Sequence, residues 1–449
     1  MPYRPNAPKR DGRPVGGNWR VLPLIAALAC VAGPRGAAAQ SSTFTAEAYV
    51  LSVLATSPEV RQAAALYESA RAGWKSQAAA AWMPTLAFSA SATPYGRDPA
   101  ESNRFQHWNL ARPDTSLATG LNLNLFNSFS DYDNTRQASL SRDSADAQLS
   151  TTRQARAFAA AQAFYDLGLK DRLVEVASES LRIQKDGYDL TLNLYQNGMK
   201  SLADLLKSET GWHTSEFLVT QALASRKQSL MEFNLLIDRP ARAPAALSVE
   251  LEPGTTALPP LEADVEAALS RRPEMIAARL AVELGEISVE QATRNGLPQL
   301  ALNASYNRLD NGANVGGAPP DYRLGLSLSL PAGFNGASQW LNVSAAKSAA
   351  AAARQSLSAQ SRAVRIEVYS AYNALEVSFE AYRIASLMEN IAKMSFELVT
   401  EQYRQDTADA IRLAQAQLDY LTARTERVQA LFGTLMSRYQ YRLAIGEPL

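Results

Sequence analysis

Leu121-Asn122-Leu123-Asn124-Leu125 alternates strictly between leucine and asparagine, and Leu326-Ser327-Leu328-Ser329-Leu330 repeats the alternation with serine 205 positions later. A period of two marks a β-strand with one apolar and one polar face. Behind each run lies a long helical tract whose landmarks return at an offset of 208. Phe164 matches Tyr372, Tyr188 matches Phe396, Tyr195 matches Tyr403, and Leu235-Leu236-Ile237-Asp238 matches Leu443-Ala444-Ile445-Gly446. One unit of strand and long helix is therefore stated twice, a plan rarely used by enzymes.

Working outward, each alternating run has a partner upstream. Leu86, Phe88 and Ala90 alternate with smaller or polar residues, as do Leu300, Leu302, Ala304 and Tyr306. This predicts two hairpins, Thr85–Thr93 with Ala118–Phe126 and Gln299–Asn307 with Tyr322–Leu330, joined by long Gly- and Pro-containing loops. A helical run precedes each hairpin. One covers about 45–82 and restarts at Ser57-Pro58-Glu59; the other covers about 261–295 and restarts at Arg272-Pro273-Glu274. Proline suits a first helical turn, and an acid there meets the positive end of the helix dipole. The distance from starting to stopping proline, Pro58 to Pro84 and Pro273 to Pro298, is 26 residues in one half and 25 in the other.

Four strands of about nine residues could cap a helical domain as a soluble sheet. Their uncharged polar faces, with Asn122, Asn124, Asn303, Ser305, Ser327 and Ser329, suit instead the water-filled lumen of a transmembrane β-barrel. Lipid tolerates no open sheet edge, and about eight strands are the fewest that close a barrel. A membrane-spanning chain of this kind must oligomerise; two copies give eight strands and three give twelve.

The helical tracts are too long for one globular core. Residues 130–196 and 338–405 would each reach about 100 Å at 1.5 Å per residue. Their alanines, such as Ala159 to Ala161 and Ala349 to Ala353, permit close coiled-coil packing. Asn197-Gly198 ends the first tract and Asp406-Thr407 the second, and a shorter helix returns from each, over 201–237 and 409–444. Each half thus has a strand end and a distant tip.

The N-terminus reads as an export signal. Arg4, Lys9, Arg10, Arg13 and Arg20 precede the apolar stretch Val21 to Ala32, and Ala37-Ala38-Ala39 supplies small residues before Gln40. That stretch is too short to span a bilayer as a helix. The single cysteine, Cys30, follows Ala27-Leu28-Ala29, a poor lipidation motif, so an ordinary signal-peptide cysteine is the favoured reading. Residues 1–39 hold six Lys or Arg and one Asp, leaving 38 bases against 43 acids in the rest of the chain. No basic tract marks a nucleic-acid partner. No phosphate loop, metal-ligand motif or nucleophile triad stands out, and the only histidines are His107 and His213. No enzymatic activity and no cofactor are expected.

Across about Gln40 to Leu449 the chain resembles the TolC family of outer membrane efflux proteins. The resemblance rests on the doubled order of helix, strand, strand, long helix and returning helix. It rests also on the tip motif Tyr195-Gln-Asn-Gly198-Met199-Lys-Ser201-Leu-Ala-Asp204-Leu-Leu. It implies a mainly α protein with a transmembrane β-barrel portion: a homotrimer whose twelve strands form the barrel and whose helices form a periplasmic tunnel. It also implies a passive outer-membrane duct, docked onto a periplasmic adaptor and an inner-membrane pump, for efflux or type I secretion. The expected divisions are a signal peptide over 1–39, repeats over 40–238 and 261–449, and a Pro- and Ala-rich linker over 239–260. Gly198, Met199, Ser201, Asp406 and Thr407 become candidates for adaptor docking. In the family, acids just past the tip ring the channel entrance. Asp204 matches that position in the first half, but Arg412 stands there in the second, with Gln415 one turn on and Asp409 at the helix start. A mixed ring closing through Asp204–Arg412 pairs is the resulting expectation. A periplasmic coiled-coil scaffold or adaptor with a soluble sheet is the alternative, and membrane fractionation separates the two.

Overall fold

The structure, a computed structural model, describes residues 43–93, 114–249, 260–310, 319–330, 336–405 and 407–447. The signal segment with Cys30, His107, Asp406 and linker residues 250–259 lie outside the described residues. The elements run in two matching series. The first is β1 (Thr43–Phe44), α1 (Ala46–Thr56), α2 (Pro58–Ala80), β2 (Thr85–Thr93), β3 (Asp114–Asn127), α3 (Ser130–Gln196) and α4 (Leu202–Leu236). After β4 (Ala246–Leu247) come α5 (Leu261–Arg271), α6 (Pro273–Arg294), β5 (Gln299–Asp310), β6 (Asp321–Ser329), α7 (Gly336–Arg404) and α8 (Ala410–Ala444). No described helix is long and apolar enough to cross a membrane.

The two halves solve equivalent corners with different chemistry. Ser57 ends α1 and caps α2, its Oγ accepting from the Val60 amide at 3.4 Å and donating to Glu59 at 2.8 Å. Arg272 occupies the matching corner with no side-chain cap. Its buried guanidinium instead bonds Glu367 at 2.7 Å, Glu274 at 3.3 Å and the Ala444 carbonyl at 3.4 Å, tying the corner to α7 and to the end of α8. Asp238 and Gly446, 208 positions apart, both end their helices in the left-handed region, at φ 55° and 76°. Glycine takes that conformation without strain.

The hairpins do not stand apart. They join in one antiparallel sheet of order β2-β3-β5-β6, with β3 of the first half paired to β5 of the second. The register aligns Thr85, Asn122 and Asn303 on one face and Leu86, Leu121, Ala304 and Leu324 on the other. A bulge between Asn124 and Phe126 interrupts the alternation at Leu125 and sets Phe126 opposite Leu300. The bulge re-aims β3 as it leaves the sheet. Ser128 and Phe129 follow with φ 59° and 66°, and the buried Ser128 hydroxyl donates to the Leu297 carbonyl at 2.8 Å. Within the protomer β2 and β6 each keep one unpaired edge.

α3 carries 67 residues and α7 carries 69, each packed against its returning helix, and α3 also touches α8, α2 and α6. Apolar cores are strung along these helices. Tyr49 stacks on Phe233 at 4.0 Å beside Phe164, and its hydroxyl donates to the Phe233 carbonyl at 2.8 Å. β4 pairs in parallel with β1, which returns the start of the linker to the first half. Asn234, wholly buried, holds that turn through the Ala241 and Ala243 carbonyls. A second core gathers Val265, Met275, Val364, Val368 and Tyr441.

Candidate channel entrance and lumen

At the first tip α3 stops at Gln196 because Gly198 turns left-handed at φ 72°, which lets the Met199 amide reach back to the Leu194 carbonyl at 2.9 Å. α4 restarts through a capping box. The Ser201 hydroxyl accepts from the Asp204 amide at 3.2 Å, and the Asp204 carboxylate accepts from the Ser201 amide at 3.2 Å and its hydroxyl at 2.8 Å. Asp204 is thus held by its own cap. Met199, Leu202 and Leu206 stand half exposed around it.

The second tip replaces the reciprocal box with a single cap. Asp409, matching Ser201, accepts from the Arg412 amide at 2.7 Å. Arg412 occupies the Asp204 position, where a cation cannot return the bond to the cap. Among the described residues no ion pair joins Asp204 to Arg412 within one protomer; Arg412 is exposed. Gln415 donates to Asp419 at 2.7 Å. Thr407 closes the turn by donating to the Gln402 carbonyl, at 2.9 Å from its amide and 3.0 Å from its hydroxyl.

Contacts that the sequence reading passed over join the two tips. Lys200 lies 4.6 Å over the ring of Tyr403 and reaches the Ala408 carbonyl at 3.5 Å. Tyr403 is fully buried, its hydroxyl 3.1 Å from Thr191 on α3, whereas its repeat mate Tyr195 is partly exposed. That pairing by offset was visible, but which tyrosine turns inward depends on α3 packing against α8. Above the tips, α4 and α8 flank α3 and leave a cleft of about 990 Å³ lined by Gln184, Thr191, Leu218, Leu413, Gln417 and Leu421. Gly187 and Gly211 allow its walls to approach, since a Cβ there would meet Gln417 Nε2 at 3.2 Å and Gln184 Oε1 at 2.9 Å. His213 is exposed on α4, stacked on Trp212 and bonded to Glu216 one turn along the same helix at 2.9 Å, a surface contact.

In the sheet the polar residues make a relay across three strands. Asn122 Nδ2 donates to Asn303 Oδ1 at 2.6 Å, and Asn303 Nδ2 donates to Ser327 Oγ at 2.8 Å. Asn124, Ser305 and Ser329 share the same face by register. The opposite face presents Phe88, Leu324, Leu326 and Leu328 at 72%, 78%, 64% and 71% exposure in the isolated protomer.

The model of the outer membrane efflux protein family matches residues 50–237 and 265–447. The chain belongs to that family. It is 24% identical over 311 residues to the outer membrane protein TolC of Vibrio cholerae, covering 67% of this chain and 70% of that one. Solved structures with the same fold include the outer-membrane channel OprN, at TM-score 0.76 and 20% identity with 90% of both chains covered. The outer membrane protein VceC of Vibrio cholerae aligns at TM-score 0.75 and 15% identity, over 90% of this chain and 96% of that one. The Campylobacter jejuni CmeC outer membrane channel aligns at TM-score 0.73 and 16% identity, over 89% and 85%. As a member of the efflux protein family the chain is a passive outer-membrane channel of efflux systems, not an enzyme, with its α-helical tunnel in the periplasm.

Proposed function

We propose that three mature protomers, freed of residues 1–39, close a twelve-stranded barrel and a continuous tunnel, and that the tips dock onto a periplasmic adaptor fed by an inner-membrane pump. The observation that carries this reading is the sheet, with two unpaired edges, an exposed leucine face and an uncharged polar face. Unpaired amides and carbonyls cost several kcal/mol each in lipid, so β2 of one protomer must meet β6 of the next. Two matched repeats, 40–238 and 261–449, joined by the linker 239–260, give each protomer two tips. The exposed apolar residues Met199, Leu202 and Leu206 and the cleft between α4 and α8 suit an adaptor's helical hairpins. Asp409, Arg412 and Gln415 sit where passing cargo, small molecules or proteins, would meet the entrance. A soluble scaffold is disfavoured because the leucine face would stand open to water.

The test is fractionation followed by electrophoresis and planar-bilayer recording. A heat-resistant trimer in the outer membrane that conducts ions supports the reading. A monomer released by osmotic shock and inert in bilayers overturns it.

A further inference from the structure

The rim of the sheet farthest from the helices carries an exposed arginine on its apolar face. We infer that Arg308 binds the phosphate of an anionic lipid headgroup in the outer leaflet, one lipid per protomer. The inference rests on the barrel reading above.

Strand register puts Arg308 on the apolar face, directly opposite Leu117 of β3, which is 47% exposed. Two residues nearer the helices, Tyr306 and Tyr322 form a cross-strand pair with ring centroids 5.1 Å apart, and Tyr322 is 72% exposed. Tyrosines on the outward face of a barrel mark the membrane interface, where the ring sits in lipid and the hydroxyl in water. At the other end Phe126, opposite Leu300, packs edge-to-face on Phe129 at 5.3 Å. Leu300 to Tyr306 spans about 20 Å of strand, which at a tilt of about 40° is roughly 15 Å of height, the larger part of the apolar band of about 25 Å that such barrels show. These aromatic ends set the depth. Arg308 then lies about 7 Å of strand, or roughly 5 Å of height, beyond the tyrosines that mark the interface, on the headgroup side of them.

A cation is tolerated at that depth, and lipid phosphate is the anion that surrounds it there. Among the described residues of this rim a second arginine stands in other surroundings. Arg323, on the lumen face opposite Ser305, is paired with Asp321 at 2.8 Å. Arg308 is exposed and has no ion pair or hydrogen bond among the described residues. Its planar guanidinium can bond two phosphate oxygens at once, which an ammonium cannot do.

The experiment uses purified trimers in detergent, titrated with a diphosphorylated glucosamine glycolipid, its dephosphorylated counterpart, and inorganic phosphate. The melting temperature of the wild type should rise with the phosphorylated lipid alone. Arg308→Gln should require about tenfold more of it for the same shift, as loss of one charge-assisted contact implies, while Arg323→Gln should respond as the wild type does. An equal response of wild type and Arg308→Gln overturns the inference. So does a wild-type response to the dephosphorylated lipid or to inorganic phosphate as large as that to the phosphorylated lipid, a comparison that needs no variant. Unchanged bilayer conductance in Arg308→Gln keeps a failure of this inference distinct from a failure of the barrel reading.

Discussion

Asp204 and Arg412 occupy one helical position in two repeats, and the fold uses them oppositely. Asp204 completes the capping box, so Asp204→Ala should cost about 1 kcal/mol, read as a lower denaturation midpoint. Arg412 offers only its amide to the cap, so Arg412→Ala should leave stability within about 0.5 kcal/mol of the wild type. Single-channel recording of the same variant should show higher cation conductance, because three positive charges leave the entrance; unchanged conductance removes Arg412 from the gate. The sequence showed the exchange of charge, and Ser201 and Asp204 stand at the three-residue spacing of a capping box, which the structure turns into two reciprocal bonds. A second residue effect is acid sensitivity at the α1–α2 corner. The Glu59 carboxyl is held below its usual range by its own backbone amide, then by the Ser57 hydroxyl, with Arg156 at 2.9 Å adding to the effect. Because the folded value lies below the unfolded one, the stabilisation is complete above about pH 4.3 and is lost as pH falls through the folded value. Glu59→Gln should therefore lose less stability than the wild type between neutral pH and pH 3, measured by denaturant titration at each pH.

At the scale of elements, an ion pair with a buried carboxylate and a partly exposed guanidinium binds the two halves just beneath the sheet. Asp133 at the start of α3 is wholly buried and accepts both contacts, 2.9 and 3.1 Å, from Arg294 at the end of α6. Arg294→Ala would leave that carboxylate unpaired, so a loss of about 3–5 kcal/mol is expected in equilibrium unfolding. The strands make a separate prediction. Leu326→Arg should weaken the assembled barrel by about 2–4 kcal/mol, the cost of a cation on the lipid face near mid-depth, whereas Ser327→Arg on the opposite face should not; heat resistance of the trimer reports both. The strands and the long helices were legible because their periods of two and 3.6 are written in the residue order, but β3 begins four residues before Ala118 and β5 ends three residues after Asn307. The bulge at Leu125 was not, since Leu121, Leu123 and Leu125 continue the alternation that β5 pairing interrupts.

For the whole molecule, the sheet order β2-β3-β5-β6 means that duplication builds one open sheet of four strands with a free edge at each side, one third of the barrel proposed above. Assembly at a fixed protomer ratio should follow, and mass measurement of the detergent-solubilised protein should give three chains and no stable barrel of two. The residue order by itself determined the duplication, the two faces of each strand and the length of the helices, because periodicity and spacing are local properties that survive without contacts. Only the tertiary structure decided that β3 joins β5, that Tyr403 and not Tyr195 is buried, and that Lys200 links the tips. Those outcomes depend on which surfaces meet across separations of up to about two hundred residues, and packing and register choose among partners that the sequence leaves equivalent.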